Sequence, residues 1–320
     1  MLNLVWLAAG ILLLTAGGEA LIRGAMAAAR RFGVSPLLSG LVIVGFGTSA
    51  PELVVSVDAA VQGRPDIAVG NVVGSNIGNV LLILGICAFI TPLAVKPLAL
   101  RRDALTVVAA SGLFAVLAAD GGLSRIDALI SVTALVAYLV WAYRSERYSG
   151  APSGPVHQAE GEELTALPPS AGLMVVAIIG GLGLLIGGSQ VLLWGAIGIA
   201  EAFAVPEAVI GLTLVAVGTS LPELSISVIA AVRRHGDVAV GNVLGSNIFN
   251  VLGILGVSAL LQPLPVTGRI QAFDQWVLVG TALLLLPLLY SGRRITRWEG
   301  GTLLLGYIGY LVLGFRVFGG

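Results

Sequence analysis

One block of this sequence is written twice. Residues 45–86 read GFGTSAPELVVSVDAAVQGRPDIAVGNVVGSNIGNVLLILGI, and residues 216–257 read AVGTSLPELSISVIAAVRRHGDVAVGNVLGSNIFNVLGILGV. Aligned without a gap at a constant offset of 171, 27 of these 42 positions are identical. The same offset pairs Gly17 with Gly188, Gly24 with Gly195, Phe32 with Phe203 and Gly40 with Gly211, so the likeness reaches beyond the block. Such a chain folds as two copies of one unit, here residues 1–144 and 171–320. Between them, 145–170 holds Pro152, Pro155, Pro168 and Pro169 with Glu160, Glu162 and Glu163, the composition of a polar linker.

The solvent for such a unit is lipid. Of the 320 residues, 57% are hydrophobic and 11% charged, where a soluble domain carries about a quarter charged residues. Ten apolar stretches approach the length of a bilayer crossing: 4–29, 36–61, 67–91, 101–119, 124–143, 172–199, 206–232, 238–261, 273–291 and 299–317. In hydrocarbon a segment must satisfy its own backbone, so all ten are read as helices. The expected fold is an all-α polytopic membrane protein, ten transmembrane helices in two five-helix repeats. Five is odd, so the second copy enters from the opposite side, the inverted-repeat plan of many secondary transporters. The first stretch has no basic segment before it and has a counterpart in mid-chain, so it is read as a mature helix, not a signal peptide.

Basic residues set the expected orientation. With loops alternating sides, one side receives Arg30, Arg31, Lys96, Arg101, Arg102, Arg144, Arg147, Arg233, Arg234, Arg293, Arg294 and Arg297. The other receives Arg64, Arg125, Arg269 and Arg316. The richer side is expected to be cytoplasmic, which leaves both termini external, the linker inside, and the protein in the cell or inner membrane. Formal net charge is zero, so nothing argues for a nucleic-acid partner. The single Cys87 reads as a small apolar core residue, and His157 and His235 fall in expected loops without metal-ligand spacing.

The repeated block carries unusual chemistry. Gly47-Thr48-Ser49-Ala50-Pro51-Glu52 lies inside the second span, and Gly218-Thr219-Ser220-Leu221-Pro222-Glu223 inside the seventh. Pro51 and Pro222 each remove a backbone donor and crowd the carbonyl one turn earlier, which releases oxygens near residues 45–48 and 216–219 for another use. Glu52 and Glu223 place formal charge halfway along their spans, where an ionised carboxylate needs a polar interior and a partner. The block offers no basic residue at that depth, so the partner is a cation from solution, or protons. The third and eighth spans add Asn71, Ser75, Asn76 and Asn79, and Asn242, Ser246, Asn247 and Asn250. An all-oxygen set of this kind favours calcium and sodium over zinc or copper.

Other polar and small residues have plainer readings. Gly70, Gly74, Gly241 and Gly245 suit close helix packing. Asn71 and Asn242 fit interhelical bonding as well as ion contact. Glu19 has Arg23 one turn later and reads as a structural or gating pair. Asp58 reads first as an exposed helix end and second as a residue lining the external entrance, and Asp66 and Asp237 read as helix N-caps.

These residues carry a resemblance. The two blocks, GTSxPE followed by GNxxGSNxxN, resemble the α-repeats of the calcium/cation antiporter superfamily, the sodium/calcium exchangers and their bacterial relatives. The likeness spans the whole chain. It implies a calcium site formed mainly by Glu52 and Glu223, with backbone carbonyls near Gly45 and Ala216. It implies sodium sites using Thr48, Ser49, Thr219 and Ser220 with Ser75, Asn79, Ser246 and Asn250. It also implies that the first and sixth helices slide across a rigid core, a motion for which Gly17, Gly18, Gly24, Gly187, Gly188 and Gly195 provide a smooth face.

Asn250 stands where some members, the potassium-dependent exchangers among them, carry Asp, which argues against potassium co-transport. The third and eighth helices carry Ser and Asn where the cation/proton branch has an additional Glu, which favours sodium as the driving ion. The expectation is calcium extrusion driven by sodium entry by alternating access, with no cofactor and with membrane lipid as surroundings. A proton-driven calcium antiporter is the second reading and a passive cation channel a third. An enzyme is not expected: GxSxG is absent, and GFGTSA lacks the third glycine of a dinucleotide loop.

Overall fold

The computed structural model describes residues 2–32, 45–94, 97–146, 170–203, 205–290 and 294–318. Residues 36–44 of the second expected span, Gly40, Lys96, Arg147, Arg293, His157 and most of the linker 145–170 lie outside them. The described chain is helical apart from four two-residue strands. Among the described residues seven helices are long and apolar enough to cross a membrane, and eight if one bent pair counts as a span. Large apolar side chains such as Leu12, Val116, Ile126 and Ile179 stand on the outside, the surface that lipid solvates and water would not.

In the first half, α1 (Leu2–Arg31) is followed by α2 (Gly45–Thr48) and α3 (Ala50–Val61). Next come α4 (Pro65–Gly78), a π turn over Asn79–Ile83 and α5 (Leu84–Ile90). Strand β1 (Leu93–Ala94), α6 (Pro97–Leu117), β2 (Gly122–Leu123) and α7 (Arg125–Glu146) complete it.

The second half repeats the order. It runs α8 (Ala171–Phe203), α9 (Glu207–Ile210), a π turn, α10 (Ala216–Thr219) and α11 (Leu221–Val232). Then come α12 (Gly236–Ile248), a π turn over Phe249–Ile254, α13 (Leu255–Leu261) and β3 (Leu264–Pro265). A π turn over Ile270–Asp274, α14 (Gln275–Tyr290), β4 (Arg294–Ile295) and α15 (Arg297–Phe318) close the chain. The expected span 299–317 falls on α15.

The halves exchange contacts reciprocally. Strand β1 pairs antiparallel with β4, and β2 with β3. By sequence offset, β1 corresponds to β3 and β2 to β4, so each half lends its first strand to the other's second. Helices α1 and α8 are also counterparts, and they pack antiparallel. A Cβ on Gly10 would meet Leu192, one on Gly17 would meet Leu185, and one on Gly24 would meet Ile178. From the other helix, Gly181 abuts the backbone near Gly17, Gly188 that near Leu14, and Gly195 that near Leu7. Glycine every seventh residue lets the two backbones touch, as small residues do between membrane helices.

Several expectations need correction here. Asp66 and Asp237 are not N-caps: Arg64 and His235 hold those positions, and both aspartates sit in the first turn, where a negative charge faces the positive end of the helix dipole. Pro65, with its φ already helical, starts α4 two residues earlier than an N-cap at Asp66 would. Among the described residues nothing lies within 4 Å of where a side chain would begin at Gly187 and Gly245, whereas a Cβ on Gly74 would lie 2.4 Å from the Leu212 carbonyl oxygen. Gly18 faces Pro51 of the core, whereas Gly17, Gly24, Gly188 and Gly195, expected to line a face against the core, meet the other helix of the α1–α8 pair.

Candidate cation site

Each repeated motif breaks its helix at the serine before the proline. Ser49 and Ser220 leave helical geometry between α2 and α3 and between α10 and α11, and Pro51 and Pro222 then sit in the first turn of the next segment. The second break bends the chain by 49°. A helix so interrupted turns the Thr, Ser and Glu side chains, and the Ala216 carbonyl, inward to one place.

That place is built by exchange between the halves. Ser49 Oγ donates to Glu223 Oε1 at 2.9 Å, and Ser220 Oγ donates to Glu52 Oε1 at 2.8 Å. Ser75 Oγ donates to the Ala216 carbonyl at 3.4 Å, which also accepts from Thr219 Oγ1 and from the Ser220 amide. Thr48 Oγ1 lies 3.3 Å from Ser246 Oγ, and Ser246 Oγ donates to Glu223 Oε1 at 3.4 Å. Glu52 and Glu223 are both fully buried, and neither pairs with an Arg or Lys among the described residues. Of the expected site residues, Gly45 opens α2, the short turn that ends at Thr48.

A second layer holds the first. Asn71 Nδ2 donates to Ser56 Oγ and to the Glu52 carbonyl, and Asn242 Nδ2 donates to Ser227 Oγ and to the Glu223 carbonyl. These bonds lock α3 to α4 and α11 to α12. Across the centre, Asn79 Nδ2 donates to Asn247 Oδ1 and Asn250 Nδ2 to Asn76 Oδ1, each at 2.9 Å. The amides of Asn76 and Asn247 donate in turn to each other's backbone carbonyl. The π turns beginning at Asn79 and Phe249 give the chain an extra residue at this depth, a feature found often at functional sites.

The residual valences are informative. Glu52 Oε2, Glu223 Oε2, Asn79 Oδ1, Asn250 Oδ1 and Asn242 Oδ1 are buried and accept no hydrogen bond. An unsatisfied buried polar atom costs about 1–3 kcal/mol, more when charged. All five orphans are acceptors, four of them in repeat-related pairs, and two belong to carboxylates. Buried acceptor oxygens without donors, two of them on carboxylates, suit a hard cation, which takes six to eight such oxygens.

Ser56 and Ser227 escape the sequence reading, although both lie in the repeated block at identical positions. Asp58, expected to be an exposed helix end, is half-buried and accepts from Ser189 Oγ of α8 at 2.7 Å. Glu19 and Arg23 form the expected ion pair on α1. Arg269, expected in a loop, is buried and tied to Asp274.

The family model for the sodium/calcium exchanger protein matches residues 2–144 and 173–316. The putative antiporter CaxA of Alkalimonas amylolytica is 38% identical over 316 residues, covering 97% of this chain and 98% of that protein. The sodium/calcium exchanger MaX1 of Methanosarcina acetivorans is 33% identical over 346 residues, covering 98% of this chain and 99% of that protein. A solved structure of the sodium-calcium exchanger NCX_Mj, soaked with Na+ and Sr2+, superposes with a TM-score of 0.67 at 34% identity and covers 97% of this chain and 98% of its own. The relatives are transporters and not enzymes. Fold, cage and kinship agree: this chain is a multi-pass membrane protein of the sodium/calcium exchanger family, a cation antiporter.

Proposed function

We propose that the protein exchanges calcium for sodium by alternating access, with Glu52 and Glu223 as the calcium ligands. The observation that carries this reading is the set of five buried acceptor oxygens without donors at the junction of the two halves. In this scheme the Ala216 and Gly45 carbonyls complete the calcium shell. Thr48, Ser49, Thr219, Ser220, Ser75, Asn79, Ser246 and Asn250 supply sodium oxygens. An empty cage leaves two carboxylates repelling each other at low dielectric, so the unloaded protein resists switching sides, which makes exchange instead of leak.

The same reading takes ten spans in two inverted five-helix repeats, with termini external and 145–170 cytoplasmic. The antiparallel packing of α1 against α8 supports the inversion. These two helices would slide over the core as one unit, their seven-residue glycine stripe, Gly17, Gly24, Gly188 and Gly195 included, packing them backbone to backbone against each other. Sodium is preferred to protons because Ser and Asn, not further carboxylates, face the two glutamates, and because MaX1 and NCX_Mj are named sodium/calcium exchangers. A proton-driven antiporter is the second reading, since two carboxylates can also carry protons.

Radiocalcium uptake into proteoliposomes, with sodium, potassium and proton gradients imposed one at a time, tests the proposal. Uptake driven by outward sodium alone is expected. Uptake that ignores sodium but follows a pH gradient would select the proton reading, and uptake without any counter-ion would select a channel.

A further inference from the structure

Beside the cage a cavity of about 400 Å³ opens between α3, α8 and α13. Its wall runs along α3 from Leu53, the neighbour of Glu52, through Val57 to Asp58, and continues over Ile186 and Val257. Asp58 is the one charged residue in that lining. Its carboxylate accepts from Ser189 Oγ at 2.7 Å and from Gln62 Nε2 at 2.9 Å. Both donors are neutral, so the bonds orient the carboxylate without cancelling its charge. Ser189 is fully buried on α8, which gives Asp58 a fixed position in that lining. In the other half the counterparts are Ile229 and Gly18. Neither a carboxylate nor a hydroxyl donor is present at those two positions, so the charge is not repeated in the other half.

We propose that this cavity is one mouth of the cage and that Asp58, held in place by Ser189, recruits the transported cation there, so that the protein has a higher apparent affinity on this face than on the other. A single negative charge in a low-dielectric funnel raises the local cation concentration and the on-rate. It need not enter the cage or change the turnover that follows. The inference rests on the exchange reading and adds a sidedness to it.

The test uses the full chain in right-side-out and inside-out vesicles, with sodium-driven radiocalcium uptake measured against calcium on each face. Asp58→Asn keeps the shape and the bond to Ser189, and is expected to raise KM for calcium about threefold to tenfold on one face only, with Vmax within about twofold. Asp58→Glu should recover most of the affinity. Ser189→Ala, which keeps the charge, should shift KM less than Asp58→Asn does. Ile229→Asp should lower KM on the opposite face. A KM unchanged by Asp58→Asn, an equal shift on both faces, or a fall in Vmax alone would overturn the proposal. Absence of sodium-driven uptake in the unaltered protein would instead overturn the exchange reading beneath it.

Discussion

The serine–glutamate and asparagine bonds of the cage are returned by each half to the other, whereas Ser75, bonded to the Ala216 carbonyl, and Ser246, bonded to Glu223, part company, as does some of the packing farther out. Ser49 donates to Glu223 as Ser220 does to Glu52, and the asparagine amides cross in matched pairs. Yet Gly74 presses on the Leu212 backbone, while its counterpart Gly245 has no atom of the described residues within 4 Å of where a Cβ would stand. The failures are of two kinds. Gly74 and Gly245 are the same residue, and Leu212 answers to Leu41 in the sequence, so nothing written in the sequence sets these two positions apart. Phe249 stands where the first half has Gly78, and Phe46 where the second has Val217, so that difference is written in the sequence. An alternating-access protein needs both. The ion must be held by ligands that either side can release, while the two sides are never open alike.

The sharpest test of the symmetric part is the pair Glu52→Gln and Glu223→Gln. Removing one charge from a buried, hydrogen-bonded ion site costs about 2–5 kcal/mol. Each variant should therefore lose calcium transport by well over tenfold, and by similar factors. Isothermal titration with calcium in detergent checks this, and a large inequality between the two would show that the cage is less symmetric in energy than in bonding.

Phe249 probes the difference written in the sequence. Its ring lies 3.9 Å, centre to centre, from that of Phe46 at a tilt of 40°, and it is 5% exposed. Together the rings fill the space that Gly78 and Val217 leave as a small pocket of about 20 Å³ reaching Ser75 and Ser220 in the other half. Phe249→Ala should lower stability by about 3–5 kcal/mol. Gly78→Ala, whose nearest neighbour would be Tyr307 at 4.0 Å, should change it by less than about 0.5 kcal/mol. Melting followed by size-exclusion fluorescence reads both.

The glycine pair gives a smaller effect. Gly74→Ala places a Cβ 2.4 Å from a backbone oxygen and should cost about 1–3 kcal/mol by overpacking. Gly245→Ala should be neutral in this conformation. If alternation swaps the two environments, Gly245→Ala will still slow turnover, because the opposite state would meet the clash.

The same contrast separates what is legible in the sequence from what is not. The repeated block announces the cage, because Glu, Ser and Asn at matched positions need a shared partner in lipid. Ser56 and Ser227 carry the same signal, yet a serine in a membrane helix reads as a small packing residue until its asparagine partner is located. Asp58 misleads because its helix position suggests exposure, whereas its bond to Ser189 depends on how α8 lies against α3. The outer helices are harder to align for a simple reason: the offset changes from 171 to 172 between Asp103 and Gly122. At the new offset Ser124 and Asp127 match Thr296 and Glu299, and both pairs form the reciprocal N-terminal bonds that start α7 and α15. A one-residue slip conceals the rest of the repeat.

That slip also conceals a buried aspartate–tyrosine bond present in both halves. Tyr138 of α7 donates to Asp103 of α6 at 2.9 Å, and Tyr310 of α15 donates to Asp274, just before α14, at 2.8 Å. Each bond ties the last two long helices of its half together. An arginine attends each aspartate, but from different places: Arg102 precedes Asp103 directly, while Arg269 lies five residues before Asp274. The tyrosine bond is repeated, and in both halves the arginine also lies over that tyrosine ring, at 5.6 Å and 6.0 Å from its centre. If that bond is the shared fastening, Tyr138→Phe and Tyr310→Phe should each cost about 0.5–1.5 kcal/mol, leave calcium affinity unchanged, and agree within about 0.5 kcal/mol. Unequal costs would assign the fastening of these outer helices to the arginines, and with it place the limit of the symmetry at the serine–glutamate and asparagine bonds of the cage.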